Sequence, residues 1–147
     1  MDFIVESALQ NMPEENFENM SQANIKVIGV GGAGNNMVGW LYKKGIKGAE
    51  IIATNTDHQH LGITGADRKF LIGKDCTRGL GCGGYPSKGA EAAQESMAML
   101  KESLKQSDMV FVCAGMGGGT GTGAAPVVAQ VAKDTGSIVI GTVTMPF

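Results

Sequence analysis

The chemistry this 147-residue chain can offer lies mostly in its backbone, bared by glycine. Of its 23 glycines, fourteen fall in three short stretches: Gly29 to Gly34, Gly79 to Gly84 and Gly115 to Gly123. The first reads Gly29-Val30-Gly31-Gly32-Ala33-Gly34-Asn35-Asn36 and satisfies GxGxxG, a spacing common to many nucleotide folds and weak on its own. Glycine lets the backbone approach a phosphate with no Cβ in the way. The free N–H groups at the start of a following helix then suit an anion. A tight strand-to-helix turn with no ligand fits the same eight residues.

The third stretch, Ala114-Gly115-Met116-Gly117-Gly118-Gly119-Thr120-Gly121-Thr122-Gly123, carries more weight. Six of its last nine residues are glycine, each costly to order. A structural turn needs one or two of them, whereas a loop wrapping a diphosphate or triphosphate with successive N–H groups needs many. Thr120 and Thr122 add hydroxyls. The second stretch, Arg78-Gly79-Leu80-Gly81-Cys82-Gly83-Gly84-Tyr85-Pro86, has one cation at its shoulder. It fits a loop that closes over a distal phosphate, and equally a mobile surface loop. No GxxxxGK[ST] segment occurs, and the first and third stretches contain no Lys. Charge on a bound phosphate must therefore be offset by helix dipoles, backbone donors and Mg²⁺.

The elements that must position these loops follow from the apolar pattern. Strands are expected at Ile25 to Gly29, Ala49 to Thr54, Lys69 to Ile72, Met109 to Ala114 and Ser137 to Thr144. Helices are expected at Ala33 to Lys44, with Met37, Leu41 and Trp40 on one face, at Ser87 to Gln106, and through Pro126 to Asp134. In the second of these, Ala90, Ala93, Met97, Leu100 and Leu104 form one stripe, with Ser87 as N-cap. Strands separated by helices imply right-handed crossovers and a Rossmann-like parallel α/β sheet with helices on both faces. Every strand-to-helix loop of such a sheet reaches its carboxyl edge, where ligands bind. The three glycine stretches and the turn Asn55-Thr56-Asp57 all follow strands, so they converge on one crevice.

Composition narrows the function classes. Hydrophobic residues make up 43% and charged residues 18%, ordinary for a globular domain. Residues 1–24 carry five acids and no Lys or Arg, which reads as an acidic extension, with a short helix around Phe3 to Leu9 as an option; 25–147 is the nucleotide-binding domain. The body is too dilute in Lys and Arg for nucleic-acid binding. Cys76, Cys82 and Cys113 form no CxxC pair and oppose a disulfide framework. No signal peptide and no apolar run of about 18 to 20 residues is present, so the expectation is a cytoplasmic setting without membrane insertion. His58 and His60 form an HxH whose metal reading lacks further ligands, and no metal site is assigned. Cys113 reads as core and Met97 and Met99 as packing. Asp57 fits metal or water contact better than a catalytic base.

From Ile25 to Phe147 the sequence resembles the tubulin/FtsZ family of GTPases. The resemblance rests on Gly115 to Gly123 followed by Ala124-Ala125-Pro126, on the first loop, on Asn55-Thr56-Asp57, on Arg78-Gly79-Leu80-Gly81 and on the closing Val143-Thr144-Met145-Pro146-Phe147. It is similar to the prokaryotic cell-division branch, and the Thr144-Met145-Pro146-Phe147 ending to its archaeal members. The resemblance implies GTP or GDP with Mg²⁺. Gly31, Gly32, Ala33, Gly34, Asn35 and Asn36 would cradle the phosphates, and Gly119, Thr120 and Gly121 would grip α and β from the other side. Asn55, Thr56 and Asp57 would lie near Mg²⁺ through water, and Cys82, Gly83 and Gly84 near the γ-phosphate. Cys82 stands where Ala is common in the family.

The resemblance also implies head-to-tail filaments, other cell-division proteins as partners and a place at the division site. In the family the acids that activate water, and the residues that read guanine, lie beyond position 147. The expectation is therefore a truncated chain with a phosphate half-site, no catalytic residue of its own and no activity alone, the parent protein being the GTP hydrolase. A Rossmann-type NAD oxidoreductase domain, with Asp57 as ribose partner, is the alternative; it leaves the second and third glycine loops unexplained. A non-enzymatic module that caps filaments is a third reading.

Overall fold

The computed structural model describes residues 22–147. The acidic extension and the helix option at Phe3 to Leu9 lie outside the described residues, apart from 22–24. Asn24 is tied down: its N–H donates to Asp108 Oδ2 (2.7 Å) and its side-chain amide to the Gln106 carbonyl (2.8 Å).

Five parallel strands form one sheet in the order β3-β2-β1-β4-β5. They are β1 (Ile25–Val30), β2 (Ala49–Asn55), β3 (Arg68–Leu71), β4 (Met109–Gly115) and β5 (Ile138–Thr144). The helices are α1 (Gly31–Lys44), α2 (His58–Ile63), α3 (Lys74–Thr77), α4 (Pro86–Glu95), α5 (Met97–Leu104) and α6 (Thr120–Asp134). Strand residues alternate between two cores, as a pleat requires. Ile28, Val30, Ile52, Val110, Val112 and Ala114 pack under α4, α5 and α6. Val27, Ile51, Ala53 and Cys113 pack on the other face with Val38 of α1 and Leu61 of α2. The parallel sheet with helices on both faces is as the sequence predicts.

The differences are local. The expected helix Ser87 to Gln106 is two helices that meet at Ser96, whose φ of −97° and ψ of 14° break the regular turn. The Ser96 hydroxyl accepts from the Gly73 N–H (3.0 Å), a tertiary bond with no periodic signature. Helical bonding continues through the bend, from Ser96 N to the Ala92 carbonyl and from Leu100 N to the Ser96 carbonyl. The first of the two helices begins at Pro86 with Tyr85 as N-cap and no side-chain cap, in place of Ser87. Helix α6 begins at Thr120, six residues before Pro126, which lies inside it and removes one helical hydrogen bond. Trp40 is exposed on α1, with the Lys44 ammonium 4.8 Å from its ring centre.

At the amino end of the sheet the chain's own charged side chains answer the helix carbonyls. Lys26 Nζ donates to the Ser103 carbonyl (2.8 Å) and the Lys105 carbonyl (3.3 Å), groups left free at the end of α5. Glu50 lies between Lys26 (3.7 Å) and Arg68, whose Nε is 2.6 Å from Glu50 Oε1. That last contact is one of charge, with the N–H not aligned as a hydrogen bond.

Candidate functional site

The strand order reverses direction between β1 and β4, which lie side by side with Val30 opposite Ala114. Such a switch point leaves a crevice at the carboxyl ends because the following helices go to opposite faces. Helix α1 leaves β1 on one face and α6 follows β4 on the other. A cleft of about 480 Å³ opens between them.

Neither helix start is capped by a side chain, and neither first turn contains an acid. Two sets of free N–H groups and two positive helix ends therefore meet at one place. Among the described residues, no Lys or Arg lines the cleft. Its wall includes Gly32 and Ala33 from the first loop, Asn55, Thr56 and Asp57 from the turn after β2, and Gly115, Met116, Gly118, Gly119, Thr120 and Gly121 from the third loop.

The glycines divide into two groups. At Gly34 a Cβ would run into the Cys113 carbonyl, and at Gly123 into the Pro86 carbonyl. At Gly121 it would lie 2.6 Å from the Gly115 carbonyl oxygen, and at Gly119 2.8 Å from Cys82 Cβ. These positions are small because protein packs on protein. Gly32 and Gly118 have nothing within 4 Å of an added Cβ. More than one or two glycines of the third loop thus serve structure: most of them are explained by close packing, and the open ones are few.

The turn after β2 is rigidly held. Asn55 Oδ1 accepts from the N–H groups of Thr56 (2.8 Å) and Asp57 (3.2 Å), which turns its Nδ2 toward His60 Nδ1 at 3.3 Å. Asp57 caps α2 by accepting from His60 N–H (3.0 Å). The second glycine loop is fastened to this turn by His58 N to the Gly79 carbonyl (2.9 Å) and Gly81 N to the Thr56 carbonyl (3.1 Å). The foot of that loop is α3, where the Glu95 carboxylate accepts from the N–H groups of Asp75 (3.0 Å) and Cys76 (3.1 Å). The Asp75 bond first of all keeps Glu95 below the usual carboxylate range. Burial, then the nearby Glu95, pushes the Cys76 thiol up to about 11.

Several expected contacts lie off the cleft wall. Gly31, Gly34, Asn35, Asn36, Gly117, Thr122, Cys82, Gly83 and Gly84 are not among its lining residues. Thr122 accepts from Gly117 N–H (2.9 Å), which shapes the loop from within. Asn35 is fully buried with no partner for either carboxamide atom. Asn35 and Asn36 line a smaller cleft of about 280 Å³ between α1 and the end of α2. Cys82 lies just beneath the wall, its sulfur 3.4 Å from Thr120 Oγ1.

The sequence reading omitted Thr144, Met145 and Pro146, which close one side of the cleft. Met116 N–H donates to the Thr144 carbonyl (2.8 Å), and Pro146 packs on Gly117. Thr144 ends β5 and the other two follow it, so the same carboxyl-edge rule that located the glycine loops includes them. His60 and Gly81 also line the cleft.

The family model for the tubulin/FtsZ family, GTPase domain, matches residues 24–147. The chain is 58% identical over 130 residues to cell division protein FtsZ 2 of Methanocaldococcus jannaschii, covering 88% of this chain and 34% of that protein. It is 58% identical over 123 residues to cell division protein FtsZ 1 of Archaeoglobus fulgidus, covering 84% and 33%. The chain thus spans about a third of the length of these relatives. Among solved structures, an FtsZ dimer of M. jannaschii, described as empty, superposes with a TM-score of 0.86 at 50% identity, covering 92% of this chain and 41% of that one. The match of archaeal relatives agrees with the resemblance of the Thr144-Met145-Pro146-Phe147 ending, and the NAD-domain alternative gives way. Sheet order, cleft and sequence agree that this chain belongs to the tubulin/FtsZ family, through its GTPase domain.

Proposed function

We propose that this chain binds the phosphates of GTP or GDP in the cleft between α1 and α6. The observation that carries this is the meeting of two uncapped helix starts over a cleft with no lining Lys or Arg among the described residues. Backbone N–H groups at Gly32, Ala33 and Gly118 to Gly121, with the Thr120 hydroxyl, are the donors placed to meet phosphate oxygens.

Mg²⁺ fits the same site in a limited way. Among the described residues no group of three His, Cys, Asp or Glu side chains could hold a metal alone. Among the described residues Asp57 is the one carboxylate on the wall, and Mg²⁺ commonly takes one or two carboxylates with phosphate oxygens and water. Bound there, the ion would neutralise phosphate charge. Asp57 would orient its water shell while still capping α2.

The longer proteins of the family supply the wider reading: GTP hydrolysis, head-to-tail filaments and a role with other division proteins at the division site. In that reading the acids that activate water come from a neighbouring subunit, and this chain alone is inactive. Division into an extension at 1–24 and a nucleotide-binding domain at 25–147 belongs to the same reading.

The test is parallel calorimetric titration of GTP, ATP and NAD into the chain, with and without Mg²⁺. Tighter binding of GTP and ATP than NAD, with Mg²⁺ strengthening it, is expected; preference for NAD would overturn the proposal.

A further inference from the structure

Three polar side chains meet at the cleft wall, Thr56 and Thr120 in it and Cys82 just beneath. Thr120 Oγ1 donates to Cys82 Sγ at 3.4 Å. Thr56 Oγ1 lies 2.7 Å from Thr120 Oγ1 and 3.5 Å from Cys82 Sγ. Each group has one hydrogen to give. Since Thr120 gives its hydrogen to sulfur, Thr56 must be the donor to Thr120, and the Cys82 thiol the donor to Thr56. The three close into a ring in which every hydrogen is used once. Thr56 is fully buried and Cys82 is 4% exposed, so only the Thr120 corner of the ring is open to the cleft.

Thr120 is the one member of this ring that both lines the cleft and opens α6. We infer that Cys82 is a positioning residue: its sulfur competes with a phosphate oxygen for the Thr120 hydrogen, and so sets how tightly the cleft holds phosphate. This rests on the reading that phosphate occupies the cleft. Thiol sulfur is a weak acceptor, whereas a charged phosphate oxygen is a strong one. The Thr120 hydrogen can therefore pass to phosphate at small cost. Thr56 continues to donate to Thr120 Oγ1 and keeps that oxygen in place. A stronger acceptor at position 82 would hold the hydrogen back.

Competition and simple packing make opposite forecasts. If Cys82 only fills space, Cys82→Ser should behave like the parent, and Cys82→Ala should weaken binding through the gap beside Gly119. If Cys82 competes, Cys82→Ser should weaken binding and Cys82→Ala should not.

The experiment is calorimetric titration of the 147-residue chain with inorganic pyrophosphate. Cys82→Ser is expected to bind about fivefold more weakly than the parent, near the worth of one net hydrogen bond. Cys82→Ala should bind as well as the parent or somewhat better. In a Thr120→Val background, Cys, Ser and Ala at position 82 should bind alike. The packing order, or an undiminished Cys82→Ser effect in that background, overturns the inference.

Infrared spectroscopy of the S–H stretch gives a ligand-independent arm. The Cys82 band, assigned by its loss in Cys82→Ala, should shift in Thr120→Val; an unmoved band overturns the ring. In the unsubstituted chain pyrophosphate should shift the same band, which keeps the test alive if a variant fails to fold. Bound pyrophosphate with an unmoved band overturns the competition alone. No pyrophosphate binding by the parent overturns the phosphate reading and the competition with it, while a band that still shifts in Thr120→Val leaves the ring standing.

Discussion

At the amino end of the sheet, Lys26 and Arg68 flank Glu50 and fill the carbonyls at the close of α5. At the carboxyl end no Lys or Arg among the described residues lines the cleft, and the helix starts of α1 and α6 have no side-chain caps. One end satisfies its helix termini with the chain's own charges, and the other leaves them facing a space of about 480 Å³. Both are helix ends on the same sheet, so the contrast is not one of fold. An orphan carbonyl row answered by Lys26 serves stability, while an unanswered N–H row serves an anion from outside.

The sharpest way to break this comparison is through the glycines that protein packs against. Gly34→Ala would force a methyl into the Cys113 carbonyl, backbone against backbone. We expect it to destabilise the fold by about 3 kcal/mol or more, at or beyond the usual upper range for overpacking, as read by urea unfolding. A loss below about 1 kcal/mol would show that α1 and β4 are not packed as tightly as described.

Next in size is the amino end. Lys26→Met removes the donor to two carbonyls and a partner of Glu50. A loss of about 1 kcal/mol is expected, the worth of one net hydrogen bond, because the Ser103 carbonyl keeps the Arg68 guanidinium as a donor. Phosphate affinity should not change. An equal effect on pyrophosphate binding would erase the distinction between the two ends.

A smaller effect on stability, and a larger one on binding, is expected at Gly32→Ala. Nothing lies within 4 Å of the added methyl, and the residue is in the first turn of α1. Stability should hold or rise by about 0.5 kcal/mol, while pyrophosphate affinity falls about tenfold as the methyl enters the cleft. The reverse pattern would mean that Gly32 is a packing glycine like Gly34.

The smallest effect concerns the foot of the second loop. With its thiol pushed up to about 11 from the ordinary 9.0, Cys76 should alkylate at pH 8 about tenfold more slowly than an unperturbed thiol of equal access, the smaller thiolate fraction being partly offset by the greater nucleophilicity of a more basic thiolate. Glu95→Gln removes one cause and should raise that rate, without altering the cleft. The direction follows from a folded state that disfavours thiolate, so reactivity appears only as pH rises toward the higher value.

Much of the fold was legible because a parallel sheet buried on both faces writes itself as apolar runs such as Met109 to Ala114. The bend at Ser96 was not, since the stripe through Ala93, Leu100 and Leu104 runs past it and its cause is the Gly73 N–H on another element. The start of α6 was hidden by its glycines and Pro126, whose low helix propensity is overridden by packing against α4. At the site, position along a strand end proved a better guide than glycine number. It accounts for Gly32, Asn55 to Asp57 and Gly118, and for Thr144 to Pro146, which carry no glycine signal at all. The Thr56–Thr120–Cys82 ring joins residues far apart in sequence and had no pattern to announce it.

The central claim, that the backbone N–H groups at the starts of α1 and α6 grip phosphate, is tested most directly by amide NMR of the isotope-labelled chain titrated with GDP and Mg²⁺. The largest shifts should fall on Gly32, Ala33 and Gly118 to Gly121, with Lys26, Glu50 and Arg68 unmoved. Shifts centred on the amino end, or on Asn36 and Thr64 with Gly118 to Gly121 silent, would contradict it.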